Sequence, residues 1–466
     1  MLLACALVVG AVAATVATGA LLEVKAFTDA LRQSPQLKLG NELAQANAGG
    51  SQTLLLIGSD KRAKTAVDGS SPARSDTMLL VRLDPGQPDT TLLSVPRDLK
   101  VTIHPDHGAA TTQKINAAYS LGGAKLSVKT VKQVLGVQIN HVIDINFAGF
   151  KALVNYLGCI YVQVDRRYYH SNLGLAAADT YDEINIQPGY QHLCGDDALH
   201  YVRYRHNDTD LVRSARQQDF LRQIKNQLGA SGLISRRFGI EKIFGKYAST
   251  DIRSADDVLK LLELLVQSAG HPVRQVGFQS VIGPSYVTAT SNQLRRTVRE
   301  FLHGGTGPGH VRVGARSHKA APKSFKTPLS PATAEELTAA QGLASTVPFP
   351  VYYPFDRITT AGADPDFVRA YPLHGHQAYV VVVAQGGLGQ YYDIEGTTWT
   401  TPPLLTNPNQ TLQIGKRRFQ VYFEGQRIRV VAWHDGPAVY WVTNTLQNIL
   451  SNRQMLAIAS AARPVR

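Results

Sequence analysis

Apolar residues follow two rhythms along this chain. TLLLIGSD (53–60), TMLLVRLD (77–84) and TTLLSVPRD (90–98) are short, almost continuously apolar and closed by Gly, Pro or charged residues, which predicts buried strands. KINAAYSLG (114–122), AKLSVKTVKQVLG (124–136) and LVRSARQQDFLRQIK (211–225) space their apolar side chains at three- and four-residue intervals, which predicts helices. IYVQV (160–164) reads as a further strand, and 239–282 adds more helix and the strand-like RQVGFQSV (274–281). The alternation predicts an α/β class, an α+β sandwich with a central mixed sheet flanked by helices.

The pattern changes at both ends. Residues 1–22 carry LLACALVVGAVAATVATGALL without a charge, long enough at a rise of about 1.5 Å per residue to cross a bilayer core of roughly 30 Å. Neither the basic start nor the short apolar region of a cleaved signal peptide is present, so the segment reads as a transmembrane anchor. Residues 23–50 then read as a juxtamembrane stalk and 51–303 as a compact domain. GGTGPG (304–309) opens a basic linker running to 345, and 346–466 reads as a smaller, β-rich α+β accessory domain. There RRFQVYFEGQRIRVVAW (417–433) predicts two strands about Glu424-Gly425, YVVVVA (379–384) another strand, and 444–462 a closing helix. Tyr422, Phe423, Trp433, Tyr440 and Trp441 read as core of this domain rather than as a sugar platform.

Composition narrows the partners. With 44% hydrophobic and 18% charged residues the chain is globular, and a net charge of +13 with a pI near 9.5 favours anionic surroundings. An outward-facing anchored domain with few aromatics among its basic stretches argues against nucleic acid. Outside the anchor, which holds Cys5, only Cys159 and Cys194 occur. In an oxidising compartment they can form one disulfide; otherwise they are two buried thiols.

The chemistry concentrates in YVRYRHNDTDLVRSARQQ (201–218), where Arg203, Arg205, Arg213 and Arg216 stand among Asp208 and Asp210. Guanidinium forks match phosphate oxygens two at a time and stay charged when desolvated. A helix from 211 puts Arg213, Arg216 and Gln217 on one face, with Asp208 or Asp210 at its first turn as a cap. The bland alternative is a solvated helix with local ion pairs such as Asp210 with Arg213. No GxxxxGK[ST], GxSxG, HExxH or CxxC motif is present. What remains is oxygen and guanidinium chemistry. Asp60 ends the first strand and Asp76 precedes the second; if those strands are neighbours, the two carboxylates suit Mg²⁺ or Mn²⁺, with Arg74 and Arg97 beside them.

GSDKR (58–62), RSDTMLLVRLD (74–84), LLSVPRDLKV (92–101), KINAAYSLGG (114–123) and ALHYVRYRHNDTDLVRSARQQDFL (198–221) occur in the order found in the LytR-CpsA-Psr family, which this sequence resembles over 51–230 closely and 231–303 loosely. The resemblance implies a membrane-anchored phosphotransferase that moves a glycopolymer from a polyprenyl-pyrophosphate carrier onto peptidoglycan outside the cell. It implies that Asp60 and Asp76 are metal-associated, and that Arg74, Arg97, Arg203, Arg205, Arg213, Arg216 and Gln217 surround the pyrophosphate or shape its pocket. The catalytic set expected is Asp60, Asp76, Arg97, Arg203 and Arg205, with Arg74, Arg213, Arg216 and Gln217 binding substrate. The 346–466 domain does not resemble the small C-terminal domain of some relatives. A non-catalytic wall module binding lipid pyrophosphate or anionic polymer is the alternative; it leaves unexplained why carboxylates accompany a phosphate site, where they repel the ligand unless a cation intervenes.

Overall fold

In the computed structural model, the described residues are 29, 35–45, 47, 49–60, 75–176, 180–205, 208–268, 271–304, 329–357, 368–385 and 390–465. The chain divides into two compact units. Met1–Leu157, Leu228–His271 and Phe278–His303 form the first, and Gly158–Gln227, Pro272–Gly277 and Gly304–Arg466 the second. Residues 158–227, inside the expected compact domain 51–303, thus group with the C-terminal part. The expected anchor 1–22 lies outside the described residues, among which no helix is long and apolar enough to cross a membrane.

The first unit is built on a mixed sheet whose strands lie in the order Ala248–Thr250, His141–Asn146, Gln52–Ser59, Ser75–Leu83, Thr90–Ser94. Gln52–Ser59 runs parallel to His141–Asn146 and antiparallel to Ser75–Leu83. Leu55, Ile57, Leu80, Leu93 and Val142 are fully buried. Helices on the sheet explain why these strands read as unbroken apolar runs. The strand expected over 90–98 stops at Ser94, because Pro96 has no amide for the ladder and instead accepts from Leu99 in a turn (3.0 Å). The helix Ala117–Leu135 is broken at Gly122–Gly123, Gly123 having φ +63°, so the two predicted helices are both present. Asn146 Oδ1 accepts from Gly149 N (2.9 Å) and starts the helix Phe147–Tyr156 directly from its strand. The end of the expected stalk runs extended here, with Leu37 N donating to Thr250 O (3.4 Å) and Leu39 buried.

The second unit holds a seven-stranded antiparallel sheet, ordered Val368–Leu373, His376–Ala384, Tyr391–Thr397, Ala438–Thr443, Arg427–Asp435, Arg417–Glu424, Gln410–Ile414. One face packs Val381, Ile394, Trp433 and Tyr440 against Met455 and Ile458 of the helix Asn452–Ala461. On the other face Trp441 meets Tyr190 of the antiparallel pair Ile160–Val164 and Gly189–Leu193. Trp433, Tyr440 and Trp441 are fully buried, as expected of core rings.

Two expectations in this unit need correction. The helix predicted over 444–462 forms only as Asn452–Ala461. Asn444 uses its side chain on Ile428 O (2.8 Å), Leu450 O (3.0 Å) and the amide of Leu450 (3.1 Å), bonds that compete with helix formation. Ala334–Ala344, inside the stretch expected as linker, is a helix started by a Thr333–Glu336 capping box with Ala340 and Leu343 buried. Residues 305–328 lie outside the described residues.

Candidate active site

The first unit gathers its chemistry at one sheet edge. The strands Gln52–Ser59, Thr90–Ser94 and His141–Asn146 end there, and Ser75–Leu83 begins there. In the ladder Gly58 faces Thr77 and Ser59 faces Ser75, so Asp76 is the extra residue of a bulge. Bulges re-aim side chains, and this one releases the Asp76 carboxylate from the pairing pattern. Arg97, in the turn after Pro96, donates from Nη1 to Asp76 Oδ1. Asp60 follows the first strand directly. The two strands expected to be neighbours are neighbours, which brings the ends carrying Asp60 and Asp76 together. Arg74 lies outside the described residues.

Two participants were not anticipated. Asp144, nearly buried within HVIDIN, accepts from Ser59 Oγ (2.9 Å) and from the phenol of Tyr119 (2.5 Å). Burial, and then the Asp144 charge, push the Tyr119 hydroxyl above its ordinary pKa, so it stays a donor. The available clue was a carboxylate inside an apolar strand, where only a partnered one is tolerated.

The second unit carries the arginine-rich stretch. Cys159 and Cys194 are joined as a disulfide, which ties the residue before Ile160–Val164 to the N-cap of the helix Gly195–Arg203. Arg203 ends that helix and, like Arg205, is partly exposed. The next helix, Asp210–Ser235, is started by Thr209, whose hydroxyl accepts from Val212 N (3.3 Å); the cap expected from Asp208 or Asp210 falls to the threonine between them. The aspartates instead hold arginines. Asp210 pairs with Arg213, and Asp208 is fully enclosed, accepting from Arg166 (2.6 Å) and from Arg216.

Arg216 is itself completely buried. Its Nη1 donates to Tyr201 O (2.7 Å) and Tyr204 O (3.1 Å), and its guanidinium lies over the Tyr168 ring at 4.4 Å. It therefore locks the turn between the two helices and is not a group open to a ligand. Gln217 donates to Val202 O (3.1 Å) in the same fastening, and Arg213 is buried beside Asp210. Arg203 and Arg205 are the arginines of the stretch that reach solvent. Arg166 was missed because it lies well before the motif and meets it only in the fold, through Asp208 and the Tyr204 ring.

Residues 19–297 match the LytR_cpsA_psr family. The chain belongs to the LytR-CpsA-Psr family. Its relatives in that family include the polyisoprenyl-teichoic acid–peptidoglycan teichoic acid transferase TagV of Bacillus subtilis, 28% identical over 288 residues that cover 59% of this chain and 70% of TagV. TagU of Enterococcus faecalis is 33% identical over 256 residues, covering 53% of this chain and 78% of TagU. TagT of Bacillus subtilis is 36% identical over 172 residues, 37% of this chain and only 51% of TagT, so the match spans about half the length of that relative. Among solved structures, B. subtilis TagV aligns over 55% of this chain and 98% of its own with 27% identity and a TM-score of 0.43, and TagT bound to LIIa-WTA over 57% and 95% with 26% identity and a TM-score of 0.42. Membership in the LytR-CpsA-Psr family rests on the sequence match, which leaves 298–466 outside it.

Proposed function

We propose that this chain is a phosphotransferase that moves a glycopolymer from a polyprenyl-pyrophosphate carrier onto peptidoglycan or its linker sugar, outside the cytoplasmic membrane and anchored there through residues 1–22. The observation that carries the reading is the Arg97–Asp76 pair beside Asp60 at a sheet edge, in a family whose named relatives are teichoic acid transferases. Open α/β sheets bind ligands at the carboxyl ends of their strands, and this edge carries those of Gln52–Ser59, Thr90–Ser94 and His141–Asn146.

In this reading the acceptor hydroxyl attacks the phosphorus next to the glycan. The P–O bond to the polyprenyl phosphate breaks, that phosphate leaves, and a carboxylate at the edge, Asp60 or Asp76, takes the hydroxyl proton. Arg97 presents its guanidinium to the charge developing on the phosphate oxygens. Asp144 and Tyr119 hold Ser59, the residue before Asp60, and so position that carboxylate.

Asp60 and Asp76 offer oxygen donors only, a set that fits Mg²⁺ or Mn²⁺, which complete their shells with water and substrate phosphate. Among the described residues no three His, Cys, Asp or Glu converge as a metal cage. Such an ion would neutralise pyrophosphate charge.

The test is transfer of a labelled lipid-linked glycan to peptidoglycan by full-length chain bearing Asp76→Ala or Arg97→Ala, with and without chelator. Loss of transfer of about a hundredfold or more is expected. Wild-type rates in both variants would refute the mechanism, and retained donor binding with no transfer even by the unaltered chain would favour a wall-binding module.

A further inference from the structure

We propose that the groove between the end of the Ala117–Leu135 helix and the Ser291–His303 helix of the first unit binds an anionic phospholipid, one acyl chain in the groove and the phosphate on its arginines. The groove is open to solvent along its length and has a volume of about 540 Å³. The inference stands apart from the transferase reading, because none of these residues belongs to the sheet-edge group.

Two parallel stripes of the Ser291–His303 helix line the groove. Leu294, Val298 and Leu302 recur every fourth residue and stay partly exposed, facing Val134 and Leu135 across the gap. One position further on, Arg295, Arg299 and His303 form a second stripe with the same spacing, and all three are exposed. Side chains four apart on a helix are neighbours, so Arg295 and Arg299 can grip one phosphate together. Arg299 makes no hydrogen bond or ion pair among the described residues, and Arg295 bonds only Asn292. No carboxylate lines the groove. An apolar floor with a cationic rim and no acid is complementary to an amphiphile with a negative head.

The helix is firmly started, Thr290 Oγ1 accepting from Gln293 N (3.3 Å) while Gln293 Oε1 accepts from Thr290 N (2.8 Å). The stripes are therefore presented on a rigid element. The sequence that follows, 304–328, holds five Lys or Arg and no Asp or Glu. It cannot supply the anion from within the chain, and a basic continuation favours an extended anionic lipid surface over a single acidic peptide.

The experiment follows hydrogen exchange of the full chain in neutral detergent, doped with phosphatidylglycerol, with phosphatidylcholine of the same tails, with inorganic phosphate, or with an acidic amphipathic peptide. Phosphatidylglycerol should slow exchange in 133–136 and 294–303 about tenfold, while phosphatidylcholine and phosphate leave it unchanged. Arg295→Glu with Arg299→Glu should abolish the protection, and the paired Lys substitutions, which keep the charge and control for folding, should retain part of it. Equal protection by both lipids, protection by the peptide alone, no protection by phosphatidylglycerol, or full protection in the Glu variant would each overturn the proposal.

Discussion

Arg97 donates to Asp76 across the first unit's sheet edge because a bulge frees Asp76 from the ladder and Pro96 ends the neighbouring strand just before Arg97. The pair keeps 22% and 12% of its side-chain surface, so it is mostly buried yet stays within reach of a ligand. Arg97→Lys retains the charge and loses the planar fork. Single-turnover transfer should fall by roughly ten- to a hundredfold with the melting temperature within a few degrees of wild type. A loss of stability in proportion to the loss of rate would assign the pair to folding instead.

Tyr119→Phe removes a side-chain donor from the nearly buried Asp144. Leaving such a carboxylate short of a partner costs about 1–3 kcal/mol, readable by chemical denaturation. Transfer should drop as well, because Ser59 and the following Asp60 lose their anchor. Tyr119→Phe with full stability and full activity would show that Asp144 is satisfied without the phenol.

Glu395 predicts the pH response of the second unit. It is fully buried and accepts from Tyr371 Oη (2.5 Å), from Tyr190 N (3.2 Å) and from Gln163. Burial pushes its carboxyl up from 4.5 to about 7, and burial together with the Glu395 charge raises Asp393 too. The fold then binds a proton that the unfolded chain releases, so stability from this group is complete below its ordinary pKa and is lost as pH rises through about 7. Unfolding of the second unit should ease between pH 5 and 8 by up to about 3 kcal/mol, and Glu395→Gln should flatten that slope. A rising stability over the same range in wild type, with no change in Glu395→Gln, would contradict the assignment.

Cys159–Cys194 closes a loop with a sequence separation of 35. Replacing both by Ser should cost about 2–4 kcal/mol by releasing the unfolded chain. It should also loosen the helix that ends in Arg203, which Cys194 caps, and lower transfer more at high temperature than at low. Thermal denaturation beside a temperature series of transfer rates would show both, and an unchanged melting point would remove the bond from the structural account.

Much of the fold was legible because burial on two faces leaves a plain mark. TLLLIGSD, TMLLVRLD and YVVVVA could only be interior strands, and the 211–225 periodicity could only be a packed helix. The residue types of the candidate site were legible too, since few side chains other than arginine and aspartate suit a phosphate. The helix expected from Asn444 failed because a side chain competing for backbone bonds is invisible to periodicity.

By itself the sequence determined the family, the strands and helices that carry Asp60, Asp76 and Arg97, and the pairing of acid with arginine around 208–216. Only the tertiary structure decided which of those charges is buried and which is presented. Arg216 and Arg213 look alike in sequence to Arg203 and Arg205, yet the first two are enclosed with Asp208 and Asp210 while the others reach solvent. Asp144 gained its place because a parallel strand, distant in sequence, sets it beside Ser59. A charge is defined by the partners that surround it after burial, and those partners come from chain segments that no local pattern links.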